Sequence, residues 1–210
     1  MNNTLYYLSQ TLAALLYPML IPSYGIGLYF WTLHAAGVVL PAAYVWVGLI
    51  GTLLFTCILP MSVILVMIRR GNLTDIYIRV SRQRLMPYVY STICYGFWAY
   101  FCWQVIHFPA FICWTAAGAT LALLLVLFIN LVWKISAHLT ALGGLFGGVM
   151  SFYLSTGADA LTMCIVMLVL ALALMWARIY DGSHTPLQVV AGFLLGALCT
   201  LVPNMIALHA

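Results

Sequence analysis

Long apolar runs, interrupted by only three charged breaks, constrain this chain more than any other feature. All seven Lys and Arg residues fall in segments 69–87, 134–138 and 178–188. Of its 210 residues 66% are hydrophobic and 5% charged, where a soluble domain carries about 25% charged residues. Runs of about 18 or more apolar residues read as membrane-crossing helices. Turn signals divide the sequence into seven such candidates, at 10–32, 42–68, 88–106, 111–132, 139–154, 160–177 and 187–208. The expectation is an all-α polytopic bundle of six to seven spanning helices, a single domain over 1–210 with no room for a separate soluble domain. Pro18, Pro22 and Pro60 fall inside candidate spans and read as kinks. In the short fifth candidate, Gly143, Gly144, Gly147 and Gly148 are spaced to bring another helix close.

Counting crossings puts the three charged breaks on one face of the bilayer. The Lys and Arg tally is then seven against zero, and the positive-inside rule favours the cytoplasm for that face in a multi-pass protein of the cell membrane. Arg69 and Arg70, directly after the second candidate, carry that inference best, because cations fixed by chemistry do not report on insertion. The N-terminus lacks the basic region of a cleaved signal peptide, so the first span reads as retained. Nucleic acid is excluded as a partner, since no disordered or amphipathic basic segment lies outside the spans. The six cysteines fall within spans, without a CxxC pair, and read as small packed hydrophobes.

Each break holds groups suited to an anion. In ARIYDGSHTPLQ, residues Asp181, Gly182 and Ser183 favour a tight turn that folds Arg178 and His184 together. Pro186 suits the first turn of the following helix, whose N-terminus attracts negative charge. In WKISAHLT, Lys134 ends one helix while Ser136 and His138 open the next. In the first break Arg79, Arg82 and Arg84 precede Pro87, and guanidinium forks grip phosphate oxygens in pairs. Two histidines on one face can divide phosphoryl transfer, one attacking phosphorus and the other protonating the departing oxygen. The chain has no Glu and only Asp75, Asp159 and Asp181. Snorkelling boundary cations and a solvated basic loop are the bland alternatives.

Taken together the three segments resemble the type 2 phosphatidic acid phosphatase family of membrane lipid phosphatases. Its third motif, SR-x5-H-x3-D, is similar to Ala177, Arg178, His184 and Gln188 with the spacing kept. Its second, PSGH, is similar to Ser136, Ala137 and His138, and its first, K-x6-RP, loosely to the arginines ending at Arg84 and to Pro87. The resemblance covers roughly 69–208. It implies a hydrolase of phospholipid metabolism, acting on a lipid phosphate monoester or pyrophosphate from the surrounding membrane lipids, without metal or other cofactor. His184 is implied as the nucleophile forming a phosphohistidine, His138 as the general acid and Gln188 as the group holding His184. Arg84, Arg178 and Ser136 are implied as holding the phosphoryl oxygens, with Lys134 beside them and Arg82 or Arg79 standing in for the first-motif lysine. Three departures stand out: Gln188 replaces an aspartate, Ala137 a glycine, and Tyr77 occupies the offset of the lysine. Asp181 or Asp75 is a candidate to supply the missing carboxylate. A lipid phosphotransferase, a degenerate lipid-phosphate binding or transport protein and a structural membrane subunit are the other readings.

Overall fold

Apolar residues with few polar interruptions give helices, and the described chain is helical wherever it is regular. The computed structural model describes residues 3–73, 81–157 and 159–209. Among these lie α1 (Asn3–Leu15), α2 (Ile21–Ala35), α3 (Ala42–Leu53), α4 (Leu59–Arg69), α5 (Leu85–Phe101), α6 (Ala110–Val132), α7 (Ala137–Thr156), α8 (Leu161–Tyr180) and α9 (Pro186–His209), with no strand. The π-helical segment Leu54–Ile58 joins α3 to α4, and another, Cys102–Ile106, extends α5. Five stretches are long and apolar enough to cross a membrane: Ala42–Arg69, the whole of α6, α7 and α8, and Pro186–Leu208. At about 1.5 Å per residue each reaches roughly the 30 Å of a hydrocarbon core. Large apolar side chains point outward, Val132 being 89% exposed, as a lipid-facing surface requires.

The expected glycine contact is with α9. A Cβ on Gly143 would run into the Phe193 carbonyl oxygen, one on Gly196 into the Thr140 carbonyl, and one on Gly147 into Thr200 and the Ala197 carbonyl. Backbone therefore touches backbone, and the Thr200 hydroxyl donates across to the Gly144 carbonyl at 3.0 Å. A Cβ on Gly148 would press on Thr115 of α6 instead, at 2.8 Å. Helix α7 spans 20 residues, longer than the sequence suggests, because Ser136 caps its start and Gly157, at φ 66°, takes the left-handed conformation that ends it. Beneath the charged breaks lies a buried apolar floor of Ile21, Leu139, Leu142, Leu174, Val189 and Phe193. Leu139 and Val189 directly follow His138 and Gln188, so the floor fixes where those side chains emerge.

The first expected span is not one helix. α1 stops at Leu15 and α2 restarts at Ile21. Pro18 has no N–H to continue the ladder and disfavours helical torsions at Tyr17, while Pro22 suits the first turn of α2. The ends are tied separately: the Tyr24 hydroxyl donates to the Leu15 carbonyl at 2.9 Å and Thr56 Oγ1 to the Met19 carbonyl at 3.2 Å. α1 consequently packs on α8, whereas α2 packs on α3 and α7.

Candidate functional site

The turn after α8 folds as its residue types dictate. The Asp181 amide donates to the Ala177 carbonyl (3.1 Å), and Gly182 adopts φ 70°. Asp181 Oδ1 accepts from the Ser183 amide at 2.8 Å, and the His184 amide closes back onto the Arg178 carbonyl at 3.0 Å. Pro186 then opens α9, and Gln188 Oε1 reaches back to the Thr185 amide at 3.2 Å, an arrangement of the capping-box kind. The same oxygen meets His184 Nδ1 at 3.1 Å. An oxygen that already accepts from an amide is an acceptor toward the ring as well. Nδ1 therefore carries the hydrogen, and Nε2 of neutral His184 holds a free lone pair.

That lone pair is available at neutral pH. Burial, above all, pushes the His184 pKa down to about 4, against the hydrogen bond to Gln188, and Arg178, Lys134 and Arg84 lower it further. Lys134, half-buried, is lowered as well, first by burial and then by Arg84 and Arg178, with Asp181 opposing.

The second break is joined to the third. The Ser136 amide faces the Gln188 carbonyl at 3.4 Å, and Ser136, fully buried, caps α7 by accepting from the Leu139 amide at 3.5 Å. His138, 8% exposed, lies within electrostatic reach of Arg178, His184 and Arg84. Its Nε2 stands 3.2 Å from the Ala13 carbonyl, and Tyr17 packs edge-on against the ring with centroids 5.8 Å apart. Arg84, buried at the end of the short 3₁₀ turn Ser81–Arg84, lies beside Tyr88 one helical turn on.

Arg84, Lys134, Ser136, His138, Arg178, His184 and Gln188 thus gather from three separate breaks. The side chain of Arg82, with Asp75, Tyr77 and Arg79, lies outside the described residues. Asp181 does not take the place of the missing aspartate: its Oδ2 pairs with Arg178 Nη1 at 2.9 Å and accepts from Gln10 Nε2 at 3.2 Å. It orients the guanidinium and leaves His184 to Gln188. Three participants escaped sequence reasoning: Gln10, the Ala13 carbonyl and Tyr17. Their segment read as part of a generic apolar span, and the one local signal was Pro18.

Beside the polar cluster lies an apolar cavity of about 220 Å³. Ala137, Thr140 and Tyr88 line its near end, next to His138 and Arg84, while Trp98, Phe111 and Phe152 line the far part. A cavity of about 150 Å³ holds benzene, so this one has room for roughly nine carbons of a chain.

No family model matches the chain, nor does any curated protein or any solved structure.

Proposed function

We propose that this protein is a membrane lipid phosphatase that hydrolyses a lipid phosphate monoester or pyrophosphate through a phosphohistidine, in the manner of the type 2 phosphatidic acid phosphatases. One observation supports the reading: two buried imidazoles, held on opposite ring nitrogens, lie within electrostatic reach of each other and of Arg84 and Arg178, with Lys134 beside His184. Nε2 of His184 attacks phosphorus as the bond to the leaving oxygen breaks, and His138 supplies that oxygen with a proton. Water, deprotonated by His138, then cleaves the P–N bond and releases phosphate. The guanidinium groups stabilise the charge that spreads over the phosphoryl oxygens in transit. The neighbouring cavity suits the first carbons of the lipid chain, so the substrate stays in the bilayer. We also infer that Leu85–Ile106 crosses the membrane, adding a sixth span to the five, and that the site faces the cytoplasm of the cell membrane, where Arg69 and Arg70 lie exposed.

The test is phosphate release by purified protein from phosphatidate, phosphatidylglycerophosphate, a polyprenyl pyrophosphate and a phosphorylated glycolipid, with EDTA present. Release from at least one, with a base-stable and acid-labile phosphoprotein trapped on the way, is the expected result. Release that stops with EDTA, or product that appears only with an acceptor lipid, counts against hydrolysis of this kind.

A second reading rests on Gln188, whose amide orients His184 but cannot balance an imidazolium: a binding protein with residual turnover. The pH profile separates the two. With His184 neutral above about 4, kcat/KM should hold through the weakly acidic range and fall as pH drops through that value. Gln188→Asp sets a carboxylate against Nδ1–H, stabilises the imidazolium and moves the acid limb up toward the ordinary imidazole range. Profiles are compared on one substrate, so its own ionisation cancels. A near-silent wild type whose turnover rises greatly in Gln188→Asp favours the binding protein.

A further inference from the structure

The Ala13 carbonyl reaches His138 because of how α1 ends. The last four carbonyls of a helix lack intrahelical donors, and Ala13 is among them because α1 stops at Leu15. The residue is buried, and the segment is pinned on both sides of it. Upstream, Gln10 Nε2 donates to Asp181; downstream, Tyr17 stands against the imidazole. A carbonyl oxygen only accepts, so the hydrogen facing it sits on Nε2 of His138, and Nδ1 is the nitrogen left for proton transfer. His184 has the converse arrangement, Nδ1 held by Gln188 and Nε2 free.

We propose that α1 is a positioning element of the site: its Ala13 carbonyl holds His138 in the Nε2–H form and thereby makes Nδ1 the atom that protonates the leaving oxygen. The assignment rests on the phosphatase reading and adds to it the element and the atom. In the first step Nδ1–H of the imidazolium passes its proton to the leaving oxygen as the P–O bond breaks and the bond to His184 Nε2 forms. The ring remains neutral with Nε2–H still on Ala13. In the second step Nδ1 takes a proton from water, whose oxygen bonds to phosphorus as the P–N bond breaks, and the starting state returns.

Two measurements test this. In protein labelled with ¹⁵N at histidine, and assigned with a His138→Asn variant, neutral His138 should show the Nε2–H tautomer and His184 the Nδ1–H tautomer. Replacing Ala14 by its α-hydroxy acid turns the Ala13 carbonyl into that of an ester, a weaker acceptor, without changing any side chain. We expect kcat on a lipid phosphate to fall about tenfold with KM unchanged, as when a hydrogen bond to a charged group is weakened. The same replacement at Leu16 weakens the Leu15 carbonyl, which serves Tyr24, and should leave kcat alone. Each replacement also deletes one backbone N–H, so the pair differs in which carbonyl is weakened. An Nδ1–H tautomer at His138 overturns the proposal and spares the phosphatase reading. So does an ester at position 14 that leaves kcat unchanged or acts no differently from the one at 16. Wild-type protein that releases phosphate from no lipid overturns the phosphatase reading, and the role of α1 falls with it, whatever tautomer is seen.

Discussion

His184→Ala should reduce phosphate release by at least about four orders of magnitude, the scale seen when a covalent nucleophile is removed from an enzyme whose binding groups remain. The substitution deletes the Nε2 proposed to attack and leaves Arg84, Lys134 and Arg178 in place, so a lipid phosphate should still bind. Its effect on stability should be small. The side-chain hydrogen bond described for the ring is to Gln188 Oε1, which keeps the Thr185 amide as partner. A thermal midpoint within a few degrees of wild type is the expected control. His138→Ala should retain most of the first step when the leaving group needs no proton, so a substrate with an activated leaving group should recover the rate of phosphohistidine formation while steady-state release stays slow for want of the second-step base. A His184→Ala protein that still turns over at more than a hundredth of the wild-type rate would remove His184 from the reaction as its nucleophile.

Gly196→Ala carries the second large effect. The added methyl group would land on the Thr140 carbonyl oxygen, and the Gly144 amide lies 2.7 Å from the same point. Neither can rotate away, because both are backbone within α7. α9 must therefore move off α7, at more than about 3 kcal/mol, above the usual range for overpacking. The displacement reaches the chemistry directly, since α7 carries His138 near its start and α9 follows His184 and carries Gln188. Loss of roughly 10 °C in thermal midpoint and of most activity is expected, read by melting in detergent and by phosphate release. Gly27→Ala is the control: its nearest neighbour would be a Leu49 methyl group at 3.9 Å, so stability should stay near wild type. Equal melting of the two variants would show that the close approach of α7 and α9 is not what holds the bundle.

Legibility in the sequence followed how local each feature's cause is. The turn at Asp181–Gly182–Ser183, the Pro186 start and the Ser136 cap obey short-range rules, and each forms where its residue types place it. Gln188 could be read too, in the first turn of α9, four residues after His184 and three after Thr185. Pro18 could not, because a proline in an apolar run reads equally as a kink or a break. The outcome is a break, with Tyr24 and Thr56 tying its two ends to different partners. The partner of Asp181 was open for a similar reason: His184 and Arg178 both lie three residues away, and the local fold directs the carboxylate toward the guanidinium. The contribution of α1 depends wholly on long-range docking, with Gln10 and Asp181 171 positions apart. No pattern within a window of the chain encodes it.

Holding both rings with uncharged acceptors has a consequence for any anion drawn to the cluster. Among the described residues Asp181 is the one carboxylate in the cluster, and it is engaged with Arg178, so the reaction space keeps a net positive charge. An aspartate in place of Gln188 would repel an orthophosphate ion once formed; an amide does not. If the protein hydrolyses a lipid phosphate as proposed, the freed ion meets the same cations that drew in the ester, so added inorganic phosphate should compete with the substrate and its grip should loosen with salt.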